Sequence, residues 1–172
     1  AQRIAFGKCF NAGQTCIAPD YLLCSEKRAD AFVRAFSTAV ARMYPSMAAN
    51  PDYTAIANQR QFDRLSGHLA DARQKGGRLV EINPSAEAFS DTRKMPVWLI
   101  LEPTRAMTVM QEEIFGPILP IITYRHLSEA IEDVNSRPRP LAFYYFDANR
   151  NRVQTVLDQT RTATAGNEIG TI

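Results

Sequence analysis

Two continuous apolar runs of strand length, Val97-Trp98-Leu99-Ile100-Leu101 and Ile118-Leu119-Pro120-Ile121-Ile122, constrain this chain more than any other feature. A strand with one wet face alternates apolar and polar residues, whereas a run with no polar side asks for cover on both faces. Helical patterns supply that cover. Ala29, Phe32, Val33, Phe36, Val40 and Met43 recur at three- and four-residue steps before Pro45, one stripe of about four turns. Phe62, Leu65, Leu69 and Ala72 mark a second helix that ends at Gly76-Gly77. The expected fold is α/β: three layers, a largely parallel sheet with helices on both faces.

The remaining elements follow the same periodicities. Ile4, Ala5 and Cys9 have helical spacing, and Tyr21 to Cys24 reads as a short strand with Ser25 and Glu26 positioned to start the next helix. Arg78 to Ile82 reads as a strand, and Pro120 favours a strand edge or a bulge. Ser128 to Asn135 reads as a helix with Ile131 and Val134 inward, and Val153, Val156 and Leu157 mark a last one. Leu141 to Phe146 reads as a buried strand, which would put Tyr144, Tyr145 and Phe146 in the core. With no repeat, low-complexity tract or linker, the expectation is one domain over residues 1–172.

Charge and cysteine usage narrow the function classes. Twenty Lys and Arg against 18 Asp and Glu leave a net charge of +2, which argues against a nucleic-acid partner. Arg137, Arg139, Arg150 and Arg152 are scattered among Pro and Asn, as solvated loop charges are. No apolar run approaches the roughly 18 residues of a membrane span, so a soluble protein with no membrane partner is expected. Cys9, Cys16 and Cys24 cannot all pair with one another, their spacings fit no common zinc pattern, and His68 and His126 lie far off in sequence. A reducing, cytoplasmic compartment and no metal site are the expectation. The chain opens at Ala1 in the middle of an element by its pattern, which processing or excision from a longer protein would explain.

Two segments could carry chemistry. Asn11-Ala12-Gly13-Gln14-Thr15-Cys16 is a small, polar, Gly-containing loop that presents one thiol among hydrogen-bonding side chains. Cys16 there is either a nucleophile, given backbone N–H groups or positive charge to favour its thiolate, or an inert loop cysteine. Cys9 and Cys24 sit on element patterns and read as core. Gln111-Glu112-Glu113-Ile114-Phe115-Gly116-Pro117 sets two carboxylates before an aromatic ring and a Gly-Pro turn. Such a loop accepts hydrogen bonds from sugar hydroxyls while its ring packs on a flat ligand; otherwise it is a solvated acidic loop with Phe115 tucked into the core.

Together the two segments carry a resemblance. Asn-Ala-Gly-Gln-Thr-Cys at 11 to 16 resembles the cysteine motif of the aldehyde dehydrogenase superfamily, and Glu-Glu-Ile-Phe-Gly-Pro at 112 to 117 resembles its later signature, in the same order. The flanks Ile17-Ala18-Pro19-Asp20-Tyr21, Leu119-Pro120-Ile121 and Arg137-Pro138-Arg139-Pro140-Leu141-Ala142 are similar to the branch of class 3 and coniferyl aldehyde dehydrogenases. The resemblance implies that Cys16 adds to an aldehyde carbonyl, with the oxyanion stabilised partly by the Cys16 N–H. Hydride transfer to NAD or NADP and hydrolysis of the thioester would follow. Glu113 matches the position that binds the nicotinamide-side ribose and Phe115 the aromatic near the nicotinamide; Asn11 is expected to fix the loop by hydrogen bonds. The implied substrate is a small-molecule aldehyde, long-chain or aromatic like coniferaldehyde, and the full-length protein is expected to be a homo-oligomer.

The chain also departs from that family's pattern. Its eight glycines form no Gly-x-Gly-x-x-Gly run, no Glu-Leu-Gly-Gly segment precedes Cys16, and no Pro-Phe-Gly-Gly segment follows Gly166-Asn167. The expectation is an excised catalytic domain, without the cofactor-binding domain, that is nearly or wholly inactive alone. Two rivals use the same residues differently. One is a Cys-His hydrolase or acyltransferase with His68 or His126 as base, although His68 reads as lying on the polar side of its helix and His126 at a strand-to-helix junction. The other is a non-catalytic interaction domain in which the motifs are structural remnants.

Overall fold

A computed structural model describes residues 1–90 and 92–161; the Gly166-Asn167 segment lies outside the described residues. The chain separates into two compact units, Ala1–Thr123 and the part from Tyr124 on. In the first, helix α1 (Gln2–Cys9) and a 3₁₀ turn lead into strand β1 (Leu22–Ser25), followed by α2 (Ala29–Met43), α3 (Gln59–Gln74), β2 (Arg78–Ile82), β3 (Val97–Leu101) and β4 (Ile118–Tyr124). The strands form one sheet in the order β1-β4-β3-β2.

The apolar runs are explained by what covers them. Along β3, Val97, Leu99 and Leu101 enter one core with Phe36 and Val40 of α2 and Ile4 and Ala5 of α1. Ile100 and Trp98 enter a second core with Leu65, Leu69 and Ala72 of α3. Leu119 and Ile121 of β4 join the first and Ile118 the second, so the sheet is the middle of three layers. Burying Phe36 and Val40 contributes about 1.5–3 kcal/mol each, which outweighs the few tenths lost to β-branched residues in α2.

Three details differ from expectation. The sheet is mixed: β3 and β4 are parallel, but β2 runs antiparallel to β3, with Arg78 opposite Leu101 and Ile82 opposite Val97. Among the described residues the connection through 83–96 contains no helix, and an antiparallel neighbour needs no crossover. Pro120 sits in an interior strand, opposite Ile100, where its ring nitrogen leaves a gap in the ladder and no unsatisfied donor. Ser25 makes no side-chain cap bond, because a 3₁₀ turn (Glu26–Arg28) intervenes and α2 starts at Ala29. By contrast α3 is capped as its sequence allows: Asn58 Oδ1 accepts from the Gln61 N–H at 3.0 Å, and Gly76 past the other end takes a left-handed φ of 84°.

The second unit contains α4 (Leu127–Asn135) and α5 (Arg150–Gln159), tied by Asn135, whose Nδ2 donates to Gln159 O at 2.7 Å and whose Oδ1 accepts from Arg161 N. Residues 141–146 form no strand, and the expected burial of their aromatics is corrected. Tyr144 and Phe146 are exposed, and the Tyr145 hydroxyl donates to Asp147 Oδ2. Apolar character buries a side chain only where another element covers it. No helix among the described residues is long and apolar enough to cross a membrane.

Candidate active site

The cysteine loop begins with a bend that few sequences accept. After α1, Asn11, Ala12 and Gly13 take consecutive left-handed conformations with φ of 50°, 52° and 73°. Side chains of the motif hold this turn: Asn11 Nδ2 donates to Gln14 O, and Gln14 Nε2 donates to Asn11 O, each at 3.1 Å. Gln14 also reaches outward, donating to Ala55 O at 3.1 Å and accepting from Ala57 N at 2.9 Å. The loop-fixing role expected of Asn11 is therefore present, shared with Gln14. Beyond it Cys16 is exposed, as is Ile17 beside it, and all three cysteines are free thiols. Underneath, the buried Lys8 ammonium donates to Pro19 O at 2.9 Å. Burial pulls its pKa down to about 8, against the opposing pull of Asp20 and Cys9.

The second motif lies against the first. The Ile114 side chain is fully buried, and its N–H donates to Asp20 Oδ1 at 3.0 Å across 94 residues of sequence. Arg64 of α3 donates to Ile114 O at 2.6 Å and to Glu113 O at 3.0 Å. Gly13 and Gly116 meet backbone to backbone: a Cβ on Gly13 would stand 2.4 Å from Gly116 O. On either side of the buried Ile114, Glu113 is exposed and Phe115 is 39 % exposed at a left-handed φ of 48°. A bulky residue there costs about 1–3 kcal/mol, comparable to the roughly 1.5–3 kcal/mol of one hydrogen bond to a charged group, so Asp20 and Arg64 suffice to hold it. Phe115 is not tucked into the core.

Behind Arg64 stands His68, buried and not on the polar side of α3 as expected; its place three residues after Leu65 puts it on the apolar stripe. Its Nε2 is 3.0 Å from Arg64 Nη1 and its Nδ1 2.9 Å from Thr108 Oγ1. A guanidinium only donates, so Nε2 accepts and Nδ1 carries the proton, donating to a Thr108 hydroxyl that turns toward Asp71 Oδ2 at 3.3 Å. Asp71 also accepts from Thr108 N at 2.8 Å and pairs with Lys75 at 2.6 Å. Burial, then the Arg64 charge, push the His68 pKa below its ordinary 6.5. Protonation thus favours the unfolded chain, and the stability His68 contributes is present above about pH 6.5 and lost as pH falls below it. His68→Gln is expected to cost about 1–2 kcal/mol at pH 7.5 and to flatten the decline in urea midpoint between pH 7.5 and 5.5. An equally steep decline in the variant would remove His68 as its cause.

Both ring nitrogens of His68 are thus committed to structure, whereas His126 is exposed at the N-cap of α4 in the second unit. The structure brings the segments of Cys16 and of Glu113 and Phe115 together at the Gly13–Gly116 contact and the Asp20–Ile114 bond. Sequence reasoning singled out neither Lys8 nor Arg64. Asp20 was in view only as a flank of the motif.

Comparison with known proteins identifies the family. The aldehyde dehydrogenase family matches residues 1–168. A coniferyl aldehyde dehydrogenase of Pseudomonas sp. is 51% identical over 162 residues, covering 93% of this chain and 34% of the relative. Aldehyde dehydrogenase family 3 member B2 of Mus musculus is 38% identical over 171 residues, covering 99% of this chain and 34% of the relative. Among solved structures, substrate-bound AldH of Staphylococcus aureus superposes with a TM-score of 0.84 at 38% identity, covering 93% of this chain and 34% of that one. The chain spans about a third of the length of the curated relatives it matches. The family match runs from residue 1 to 168 and takes in both the cysteine loop and the later signature, and the chain belongs to the aldehyde dehydrogenase family.

Proposed function

We propose that this chain is the cysteine-bearing catalytic part of an NAD- or NADP-dependent aldehyde dehydrogenase. The observation that carries the reading is an exposed thiol on a strained, hydrogen-bonded loop packed against the loop of Glu113 and Phe115. The Cys16 sulfur adds to the aldehyde carbon, the carbonyl electron pair moves to oxygen, and the Cys16 N–H stabilises that oxyanion. The residues present fit a nicotinamide dinucleotide: the exposed Phe115 ring offers the nicotinamide a flat apolar contact, and the exposed Glu113 carboxylate accepts from ribose hydroxyls. When bound, that cofactor accepts the hydride whose loss turns the thiohemiacetal into a thioester. Water then cleaves the carbon–sulfur bond, releasing the acid and returning the thiol.

Exposed Ile17 beside the nucleophile, and the substrate in the name of the Pseudomonas relative, favour an aromatic aldehyde of the coniferaldehyde type. The larger protein is a cytoplasmic homo-oligomer in this reading, most of the dinucleotide contacts lie beyond this third of it, and the 172-residue chain alone turns over little.

Iodoacetamide at near-neutral pH is expected to label Cys16 first. Cys9 should lag, since burial pushes its thiol up to about 12, and Cys24, half-buried and shifted upward by burial, should lag too. Oxidation of coniferaldehyde with NAD+ or NADP+ by the protein carrying this chain should fall in step with Cys16 labelling. An unreactive Cys16 would favour the interaction-domain reading, and activity that survives full labelling of Cys16 would end this one.

A further inference from the structure

We infer that Arg64 and Asp20 are positioning residues that grip the Ile114 peptide from its two sides, and so present Glu113 and Phe115 at the surface beside the cysteine loop. The inference rests on the function proposed above and deepens it. Asp20 takes the N–H of Ile114 and Arg64 takes its carbonyl, so neither end of that residue can rotate without losing a charge-assisted hydrogen bond. Arg64 takes the carbonyl of Glu113 as well, which fixes the backbone on which the carboxylate stands. The grip has its own supports. Gln61 Oε1 accepts from Arg64 Nε at 2.8 Å, and His68 accepts from Nη1 while held by Thr108, so the guanidinium plane is set from α3. Asp20 belongs to the stretch that follows Cys16 and is next to Pro19, whose carbonyl takes the buried Lys8 ammonium. One side of the grip therefore comes from the nucleophile's own loop, and a left-handed Phe115 is what it holds in place.

Both residues act on the backbone of the later motif, Arg64 through two carbonyls and Asp20 through an N–H. Their removal should therefore be read in the affinity for the group that Glu113 and Phe115 meet, and not in the reactivity of the thiol. In the protein carrying this chain, Arg64→Ala is expected to raise KM for NAD+ or NADP+ about tenfold or more, with KM for coniferaldehyde and the rate of Cys16 alkylation within about twofold of wild type. Arg64→Lys, a single point charge in place of a planar fork, should recover part of the loss. Asp20→Ala should act in the same direction. Amide exchange at residues 114–116 should quicken about tenfold in both alanine variants while exchange in β3 stays unchanged. An unchanged dinucleotide KM in a folded Arg64→Ala protein overturns the inference, as does an equal loss in aldehyde KM, alkylation and global exchange. If the wild-type protein oxidises no aldehyde with either dinucleotide, the function reading fails, and exchange alone then decides: local quickening upholds the grip and its absence removes it.

Discussion

Gly13→Ala is expected to be among the most damaging single-methyl changes in this chain, costing about 2–4 kcal/mol of stability and loosening the cysteine loop from the later motif. The added Cβ would stand 2.4 Å from Gly116 O, 2.9 Å from Gly116 C and 3.1 Å from Lys8 O. All three are backbone atoms, so no side chain can swing aside. Gly116 cannot retreat either, because its own Cα faces the Leu65 methyls: a Cβ there would lie 2.5 Å from one of them. The φ of 73° at Gly13 adds about 1 kcal/mol of left-handed strain to the clash. Two other glycines separate these contributions. Gly76→Ala carries the strain without the clash, since φ is 84° with nothing within 4 Å, and should cost about 1 kcal/mol. Gly67→Ala, in the exposed middle of α3 with nothing within 4 Å, should stabilise by about 0.5–1 kcal/mol. Urea unfolding of the three variants tests the order, and a Gly13→Ala protein no weaker than Gly76→Ala would show that the two loops do not press together.

Where local chemistry and tertiary cover coincide, the chain is legible. The runs at 97–101 and 118–122 become interior strands because both faces of the sheet are covered, and an uninterrupted apolar run announces that demand. The same composition misleads at 141–146, where cover is decided elsewhere and Tyr144 and Phe146 stay exposed. His68 carried a usable signal: with Leu65, Leu69 and Ala72 it completes the buried stripe of α3, and its polarity alone argued the other way. Arg64 carried none. Its main partners are the carbonyls of Glu113 and Ile114, about 50 residues on, and a carbonyl has no letter in a sequence. The exposure of Cys16 was readable from a polar, Gly-containing loop, whereas the left-handed Phe115 follows from the Asp20–Ile114 bond, which only the folded chain brings about.

Cys16→Ser separates chemistry from architecture more sharply than any other change. Serine keeps the size, the loop position and a hydroxyl, yet that hydroxyl holds its proton at neutral pH and is a far weaker nucleophile toward a carbonyl than a thiolate. Aldehyde oxidation by the protein carrying this chain is therefore expected to fall by at least about 10³-fold, and to background in Cys16→Ala. Stability should move by less than about 0.5 kcal/mol, because the side chain is exposed. Dinucleotide affinity should hold, since Glu113, Phe115, Arg64 and Asp20 are untouched. Cys9→Ala and Cys24→Ala supply the contrast: neither thiol belongs to the exposed loop, so each variant should keep its turnover while Cys9→Ala, in the core, loses some stability. Turnover in Cys16→Ser within tenfold of wild type would mean that the exposed sulfur bonds to no substrate carbon. The packed pair of loops would then serve association and not oxidation, because nothing else in the cysteine motif is nucleophilic enough to take its place.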